Sequence, residues 1–214
     1  MAGTCCARDY EKMFSRKAAD RETRRFRKRG LRGSAKALAE LAGDVRGESV
    51  LEIGGGAGTI EIELLEAGAT RTTNVELAAT YEAAAEELIA ERGLTGRVER
   101  RIGDFVSDAG TIERHDVVVM HRVVCCYPDV EALVGAAADH AARRMVLTYP
   151  QERAIVRVAF RLGNALLRLR GSTFRAYVHP VRRIEAAAEA RGLAPETRVR
   201  HGLVWESAAF SAAR

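Results

Sequence analysis

The chain has 214 residues, of which 47% are hydrophobic and 29% charged, the composition of one soluble globular domain. No apolar run approaches the roughly 20 residues that cross a bilayer, and charge dominates residues 1–30, so we expect no secretory signal and a cytoplasmic location. The net charge is +5, but the first 36 residues alone hold twelve Lys or Arg against four acids.

These first 36 residues, which we call the basic head, are predicted to be helical. Tyr10, Met13, Phe14 and Ala18 recur at spacings of three and four, which is the period of one helix face, and Gly30 provides a stop. Ser34 is the predicted N-cap of a second helix, through Leu41. We expect residues 1–48 to form an N-terminal helical lid. Its positive charge indicates either an anionic partner or a solvated helix face.

From Ser49 the pattern changes to short apolar runs that alternate with longer amphipathic ones. This alternation is typical of a parallel sheet with helical crossovers, and it places residues 49–214 in one structural unit. The predicted strands are Val50–Ile53, Arg71–Val75, Arg97–Ile102, Asp116–His121 and Met145–Tyr149, and the predicted helices between them are Thr59–Ala67, Ala78–Arg92 and Val130–Ala142.

Residues Gln151–Arg170 interrupt the alternation. Apolar residues fall on one helical face with arginines around it, so the segment is predicted to be an inserted amphipathic helix. We expect it to pack on the domain beside the site, and the alternative is that it lies on an anionic membrane. A helix over Pro180–Arg191 and an antiparallel pair, Thr197–Arg200 with Val204–Phe210, complete the chain.

A glycine loop follows the first strand. Gly54, Gly56 and Gly58 let the backbone approach a ligand closely and aim the amide groups of the next helix at it. The dinucleotide fingerprint G-x-G-x-x-G would need glycine at Thr59, so the loop departs from it. Glu52 stands at the end of the strand before the loop.

Two further acids end the next two strands. Glu76 follows Gly54 by 22 positions, where a carboxylate in such folds accepts hydrogen bonds from ribose hydroxyls. Asp104 stands after the third strand, beside Phe105. With Glu52 and the glycine loop, three acids therefore end three successive strands.

This arrangement resembles the class I S-adenosylmethionine-dependent methyltransferases. The resemblance implies an α/β fold, a Rossmann-like three-layer sandwich with a mostly parallel seven-stranded sheet and an antiparallel last strand, here with N-terminal helices and one inserted helix. It implies S-adenosylmethionine as cofactor and S-adenosylhomocysteine as product. The implied cofactor-binding residues are Glu52, Gly54, Gly56, Gly58, Glu76, Leu77, Asp104, Phe105 and His121.

The acceptor side is predicted to follow the fourth strand. His121 is the candidate base or acceptor-orienting group, with a structural role as the alternative. Arg122, Tyr127 and Tyr177 are candidate substrate-binding residues. The stretch from Cys125 to Pro128 and the stretch from Phe174 to His179 are similar to segments of the magnesium-protoporphyrin O-methyltransferase group.

Four cysteines form two adjacent pairs, Cys5-Cys6 and Cys125-Cys126. Neither has the spacing of a zinc knuckle, so we predict free thiols and no metal site, although vicinal thiols can bind soft metals.

We predict a methyltransferase that acts on a small, partly hydrophobic molecule. One alternative is a nucleic-acid methyltransferase that uses the basic head, and another is a non-catalytic protein that binds the cofactor. The sequence does not indicate the acceptor or the oligomeric state.

Overall fold

Residues 7–212 fold around a seven-stranded sheet in the order β3-β2-β1-β4-β5-β7-β6, as described by a computed structural model. Strands β1 to β5 pair in parallel, and β7 runs antiparallel to both of its neighbours, β5 and β6. The predicted mostly parallel sheet with an antiparallel last strand is confirmed. The strands are β1 (Ser49–Ile53), β2 (Arg71–Glu76), β3 (Val98–Ile102), β4 (His115–His121), β5 (Ala141–Pro150), β6 (Leu193–His201) and β7 (Trp205–Ala212).

Helices cover both faces of this sheet. Because successive strand residues point to opposite faces, Val50 belongs to one buried cluster and its neighbour Leu51 to another, each covered by its own helices. The result is the predicted three-layer sandwich. The helices are α1 (Ala7–Met13), α2 (Arg16–Arg29), α3 (Gly33–Ala42), α4 (Thr59–Glu66), α5 (Glu82–Glu91), α6 (Phe105–Asp108), α7 (Val130–His140), α8 (Ala154–Leu169) and α9 (Val181–Glu189).

The N-terminal helices differ from the prediction in two details. The single helix expected up to Gly30 is broken between Met13 and Arg16, so α1 and α2 are separate. Ser34 is not an N-cap, because α3 begins at Gly33 after an extended Arg32. Its hydroxyl is instead hydrogen-bonded to His121, the last residue of β4, and to Arg122, which follows it.

The sheet region also differs from the prediction in several places. The four-residue helix α6 was not predicted, because a single turn is too short to show a period; Asp104 caps it by accepting from the Val106 N–H at 3.0 Å. Strand β5 begins directly after α7, since Ala141 already pairs with His115 before a register shift in β4.

Helix α8 was expected to bury its apolar face on the domain, and it does not. Val156 is its one buried residue, whereas five large apolar side chains of the helix are exposed. Its attachment includes Asn164, whose side chain donates to the Ala176 carbonyl and accepts from the Ala176 N–H. None of the helices in residues 7–212 has the length and apolar character needed to span a bilayer.

Candidate active site

A cavity of about 470 Å³ lies at the carboxyl ends of the central strands. Open α/β sheets bind ligands at this edge. One side, which we call the strand wall, consists of residues 52–56, at the end of β1 and in the glycine loop, and of the residues that end or follow β2, β3 and β4. The opposite side, the helix wall, consists of side chains from α1, α2, the segments that connect the first three helices, and the first turn of α3. The helix wall comprises Tyr10, Phe14, Glu22, Arg25, Phe26, Leu31, Arg32, Ser34 and Ala35.

The glycine loop is tight against its surroundings. Gly54 and Gly56 both have positive φ angles, +64° and +56°, which side chains of L-residues rarely adopt. A Cβ on Gly54 would lie 2.6 Å from Val123, and one on Gly56 would lie 3.1 Å from the Tyr81 ring. Bare backbone therefore faces the cavity at both positions. Gly58 does not line the cavity and instead precedes the first residue of α4.

Three acids at the ends of strands lie together at this wall, which is where the sequence predicted them. Glu52 is buried, and its carboxylate accepts from the Glu61 N–H at 3.0 Å. Glu76 accepts from the N–H groups of Gly56 and Ala78, both at 2.8 Å. Burial raises the pKa of both carboxyl groups. Asp104 is the third acid and accepts from the Tyr127 hydroxyl at 3.3 Å.

A buried ion pair between Arg100 and Glu61 supports the glycine loop from inside the domain. Arg100 donates to Glu61 at 3.3 Å, to Glu82 at 2.7 Å and to the Gly56 carbonyl at 2.9 Å. Glu61 also accepts from Thr72 and Asn74. Burial raises the pKa of Glu61 to about 7 despite these partners. The arginine therefore connects the loop backbone to the interior of the sheet.

Glu22 of α2 is a cavity residue that sequence reasoning missed. Its Oε1 lies 3.5 Å from the position of a Cβ on Gly56, so the carboxyl group lies beside the glycine loop. Burial raises the pKa of Glu22 to about 7 and outweighs a hydrogen bond from the Ala57 N–H. No motif marks this residue, because its place depends on how α2 packs against a loop 30 residues away in the chain.

His121 ends β4 and faces the helix wall. Its Nε2 lies 3.0 Å from the Ser34 Oγ, which also accepts from Arg122 at 2.9 Å. Arg122 has a positive φ of 60° and stacks over the Trp205 ring at 4.5 Å. Burial, the Arg122 guanidinium and His201 lower the pKa of His121 to about 3. The imidazole is therefore neutral at physiological pH.

Aromatic residues close the helix wall. Tyr10 stacks on Phe14 with ring centroids 5.3 Å apart, and Phe174 packs edge-on against both rings. The Tyr10 hydroxyl donates to the Cys126 carbonyl at 2.9 Å, which ties α1 to the residues after β4. Tyr127 also lines the cavity.

The structure places Tyr177 elsewhere. Its ring stacks on His179 with centroids 5.4 Å apart, and it does not contribute to the cavity lining. Its N–H donates to the Cys125 carbonyl at 2.7 Å. His179 lies close to the Tyr127 carbonyl, with Nε2 at 2.9 Å, so both residues hold the segment in place.

Cys125 and Cys126 are free thiols whose sulfur atoms lie 3.6 Å apart. Cys125 is buried, whereas Cys126 lines the cavity. The hydrogen bond from Cys125 lowers the pKa of Cys126. Residues 7–212 contain no group of three or more His, Cys, Asp or Glu side chains arranged to hold a metal ion. Cys5 and Cys6 lie outside the described residues.

Comparison with known proteins identifies the family. A family model described as a methyltransferase domain matches residues 23–197, which is most of the chain. No curated protein sequence matches the chain. Solved structures match it in fold at low identity.

Magnesium protoporphyrin IX methyltransferase from Synechocystis PCC 6803, crystallised with S-adenosylhomocysteine, is 19% identical over 85% of this chain and 84% of its own, with a TM-score of 0.66. An O-methyltransferase family protein from Burkholderia thailandensis is 18% identical over 96% of this chain and 62% of its own, with a TM-score of 0.74. Geranyl diphosphate C-methyltransferase from Streptomyces coelicolor A3(2) is 13% identical over 84% of this chain and 78% of its own, with a TM-score of 0.67. The chain therefore belongs to the methyltransferase family, and its fold is that of the class I S-adenosylmethionine-dependent methyltransferases.

Proposed function

We propose that this methyltransferase transfers the methyl group of S-adenosylmethionine to a small, partly hydrophobic molecule. The observation that carries the proposal is the composition of the cavity: its strand wall carries acids and bare backbone, and its helix wall carries aromatic and aliphatic side chains together with one acid and two arginines. A volume of about 470 Å³ is within the range of small-molecule sites.

The strand wall suits the methyl donor. We assign Glu76 to the ribose hydroxyls, Asp104 with Leu77 and Phe105 to the adenine, and the Gly54–Gly58 loop with Glu52 to the methionine portion. The tight backbone at Gly54 and Gly56 supports this assignment, because a side chain there would fill the space in front of the loop. The bound donor supplies a methyl group on a sulfonium leaving group that is already activated.

The chain's own residues then position the acceptor and exclude water, which is the main requirement for an in-line displacement with a good leaving group. The helix wall supplies Phe14, Phe26 and Leu31 as apolar surface. Arg25, Arg32 and Arg122 also line the cavity and favour an acceptor that carries an anionic group. We assign Tyr127 to the acceptor as well.

We propose that His121 orients the acceptor through a hydrogen bond and does not remove its proton. A general base is most effective when its pKa lies near the working pH. The pKa of His121 is about 3, so the neutral ring holds a proton too weakly for that role. Ser34 and Arg122 fix its position.

The alternative acceptor, a nucleic acid, draws on the basic residues of α2. Arg25 and Arg32 line the cavity. A nucleic acid would therefore have to bind the other Lys and Arg side chains of α2. Two solved neighbours are named for small molecules, magnesium protoporphyrin IX and geranyl diphosphate. They support the small-molecule proposal for this chain, whereas a third neighbour, named as a putative RNA methyltransferase, supports the alternative.

Labelled methyl transfer into cell extract tests the proposal. The purified chain is incubated with S-adenosylmethionine that carries a labelled methyl group, and small molecules and RNA from the extract are separated before mass spectrometry. We expect label in a small molecule. Label in RNA, with binding that weakens steeply as salt rises, would establish the alternative. Binding of S-adenosylhomocysteine without transfer to either fraction would indicate a non-catalytic protein.

A further inference from the structure

Helix α8 has three distinct sides. The side that meets the domain carries buried Val156, with half-buried Phe160, Asn164 and Leu167 at helical spacing. A second side carries arginines, Arg157, Arg161 and Arg168. The third side is apolar and faces away from the domain. A helix on a globular protein ordinarily buries its apolar face, so this arrangement needs a partner.

The third side, which we call the α8 ridge, consists of residues at spacings of three and four. Their exposed fractions are large: Ile155 67%, Val158 51%, Leu162 67%, Leu166 48% and Leu169 85%. The β6–β7 turn adds Leu203, which is 66% exposed, beside the start of the helix, where Gln151 donates to the Gly202 carbonyl at 3.0 Å. A continuous apolar strip therefore follows the whole helix.

The charge of this region is predominantly positive, with Glu152, which pairs with Arg157, next to the start of the helix. The sequence contains no Asp or Glu between Glu152 and Glu185, whereas eight arginines lie in that interval. Five of them, Arg153, Arg157, Arg161, Arg168 and Arg170, lie on or directly beside α8. The partner of this surface must therefore accept apolar side chains and carry negative charge at the same time.

We propose that α8 lies in the interface of an anionic lipid bilayer, with the α8 ridge among the acyl chains and its arginines at the lipid phosphates. An exposed helix with an apolar face and a basic face has the chemistry of an interfacial helix. Arginine side chains can extend from the edge of the buried face to the headgroups and bind phosphate oxygens bidentately.

Other partners fit less well. A second copy that packed ridge against ridge would bring the arginines of both helices together with no carboxylate on either helix to balance them. A nucleic acid would satisfy the arginines and leave the leucines in water. A bilayer with anionic headgroups satisfies both sets of side chains.

Vesicle co-sedimentation of the full chain tests the proposal. We expect the chain to bind vesicles of phosphatidylcholine and phosphatidylglycerol and to bind phosphatidylcholine vesicles at least tenfold more weakly, by the attraction of about five arginines to a negative surface. Leu162→Gln should lower binding to the anionic vesicles by about tenfold, because one large apolar side chain no longer enters the interface. Arg161→Gln with Arg168→Gln should lower it by a similar factor.

Ile102→Gln is the matched control for the leucine variant. Ile102 is 47% exposed at the end of β3, on the opposite edge of the sheet, and its substitution should leave vesicle binding within about twofold. Unchanged thermal midpoints and S-adenosylhomocysteine affinity confirm that each variant is folded.

Two results would overturn the proposal. One is equal sedimentation of the wild type and Leu162→Gln with anionic vesicles. The other is a dimer in sedimentation equilibrium without lipid that Leu162→Gln dissociates, because the ridge would then be covered by a second copy.

Discussion

The strand wall of the cavity is held by buried hydrogen bonds among adjacent strands, whereas the helix wall consists of side chains from helices that precede the sheet in the chain. On the strand wall, Glu76 accepts two backbone N–H groups and Arg100 anchors the loop carbonyl. On the helix wall, Phe14 and Tyr10 pack on each other and on Phe174. The strand wall is thus held to the sheet by hydrogen bonds, whereas the helix wall is held by the packing of side chains. The proposed donor contacts therefore lie on the strand wall, whereas the proposed acceptor contacts come from both walls. His121, Arg122 and Tyr127 lie at or after the end of β4, and the apolar contacts lie on the helix wall.

Substitution of Arg100 should have the largest effect on stability, because its side chain holds the strand wall to the sheet. Arg100→Met keeps the alkyl part of the side chain and leaves Glu61 buried without its cation, so the free energy of unfolding should fall by about 3 kcal/mol. Urea denaturation measures the change. Adding Glu61→Gln should restore part of the loss. Arg71→Met removes an exposed pair with Glu113 and should cost less than about 1 kcal/mol.

A side chain in the glycine loop should remove cofactor binding. Gly56→Val places a branched side chain against Tyr81 at a φ of +56°, so affinity for S-adenosylhomocysteine should fall by more than about 100-fold in calorimetry. Gly93→Val is the matched control: its φ is +66°, and its Cβ would meet no atom within 4 Å. It should destabilise the chain and leave affinity intact. Equal affinity in Gly56→Val and wild type would contradict the assignment of this wall to the cofactor.

Glu22 joins the two walls and should make stability depend on pH. Its folded pKa is about 7 and its ordinary value is 4.5, so the folded state binds the proton more tightly and loses stability as the pH rises through this window. Glu22→Gln should therefore gain about 2 kcal/mol of unfolding free energy relative to wild type between pH 5 and pH 8. Glu86→Gln, on the exposed side of α5, is the control. A difference that does not change with pH would show that Glu22 is not held in the buried position.

The smallest effect is expected at His121. If it orients the acceptor, His121→Gln should lower the rate of methyl transfer by less than about tenfold, since the amide keeps a hydrogen bond. The wild-type rate should not change with pH between 5.5 and 8 through this residue, because its pKa is about 3. A loss above about 1,000-fold, with a wild-type titration near neutral pH, would instead identify His121 as a base.

The same contrast explains what the sequence could predict. The central parallel strands were predictable because their apolar runs are buried on both faces, as in the stretch from Val117 to Met120. The convergence of Glu52, Glu76 and Asp104 followed, because parallel strands end at one edge of a sheet. These features depend on local patterns and on one topological rule.

No such rule predicts the helix wall or the exposed face of α8 from the sequence. The break after Met13 lacks a Gly or Pro signal, and the role of Glu22 depends on how α2 docks. Tyr177 is half-buried, but periodicity in an irregular segment does not tell which way a side chain points. The apolar period of α8 correctly predicts the helix, but a period alone does not show what covers the face.

The pair of hydrogen bonds at Asn164 has a mechanical consequence. Its amide group binds both the carbonyl and the N–H of Ala176, two residues after Phe174, whose ring supports Tyr10 and Phe14. A force that tilts α8 must therefore either break both bonds or carry residue 176 with the helix. In the second case Phe174 and the two rings that pack on it shift as well, so the position of the helix wall becomes coupled to whatever surface the helix lies on.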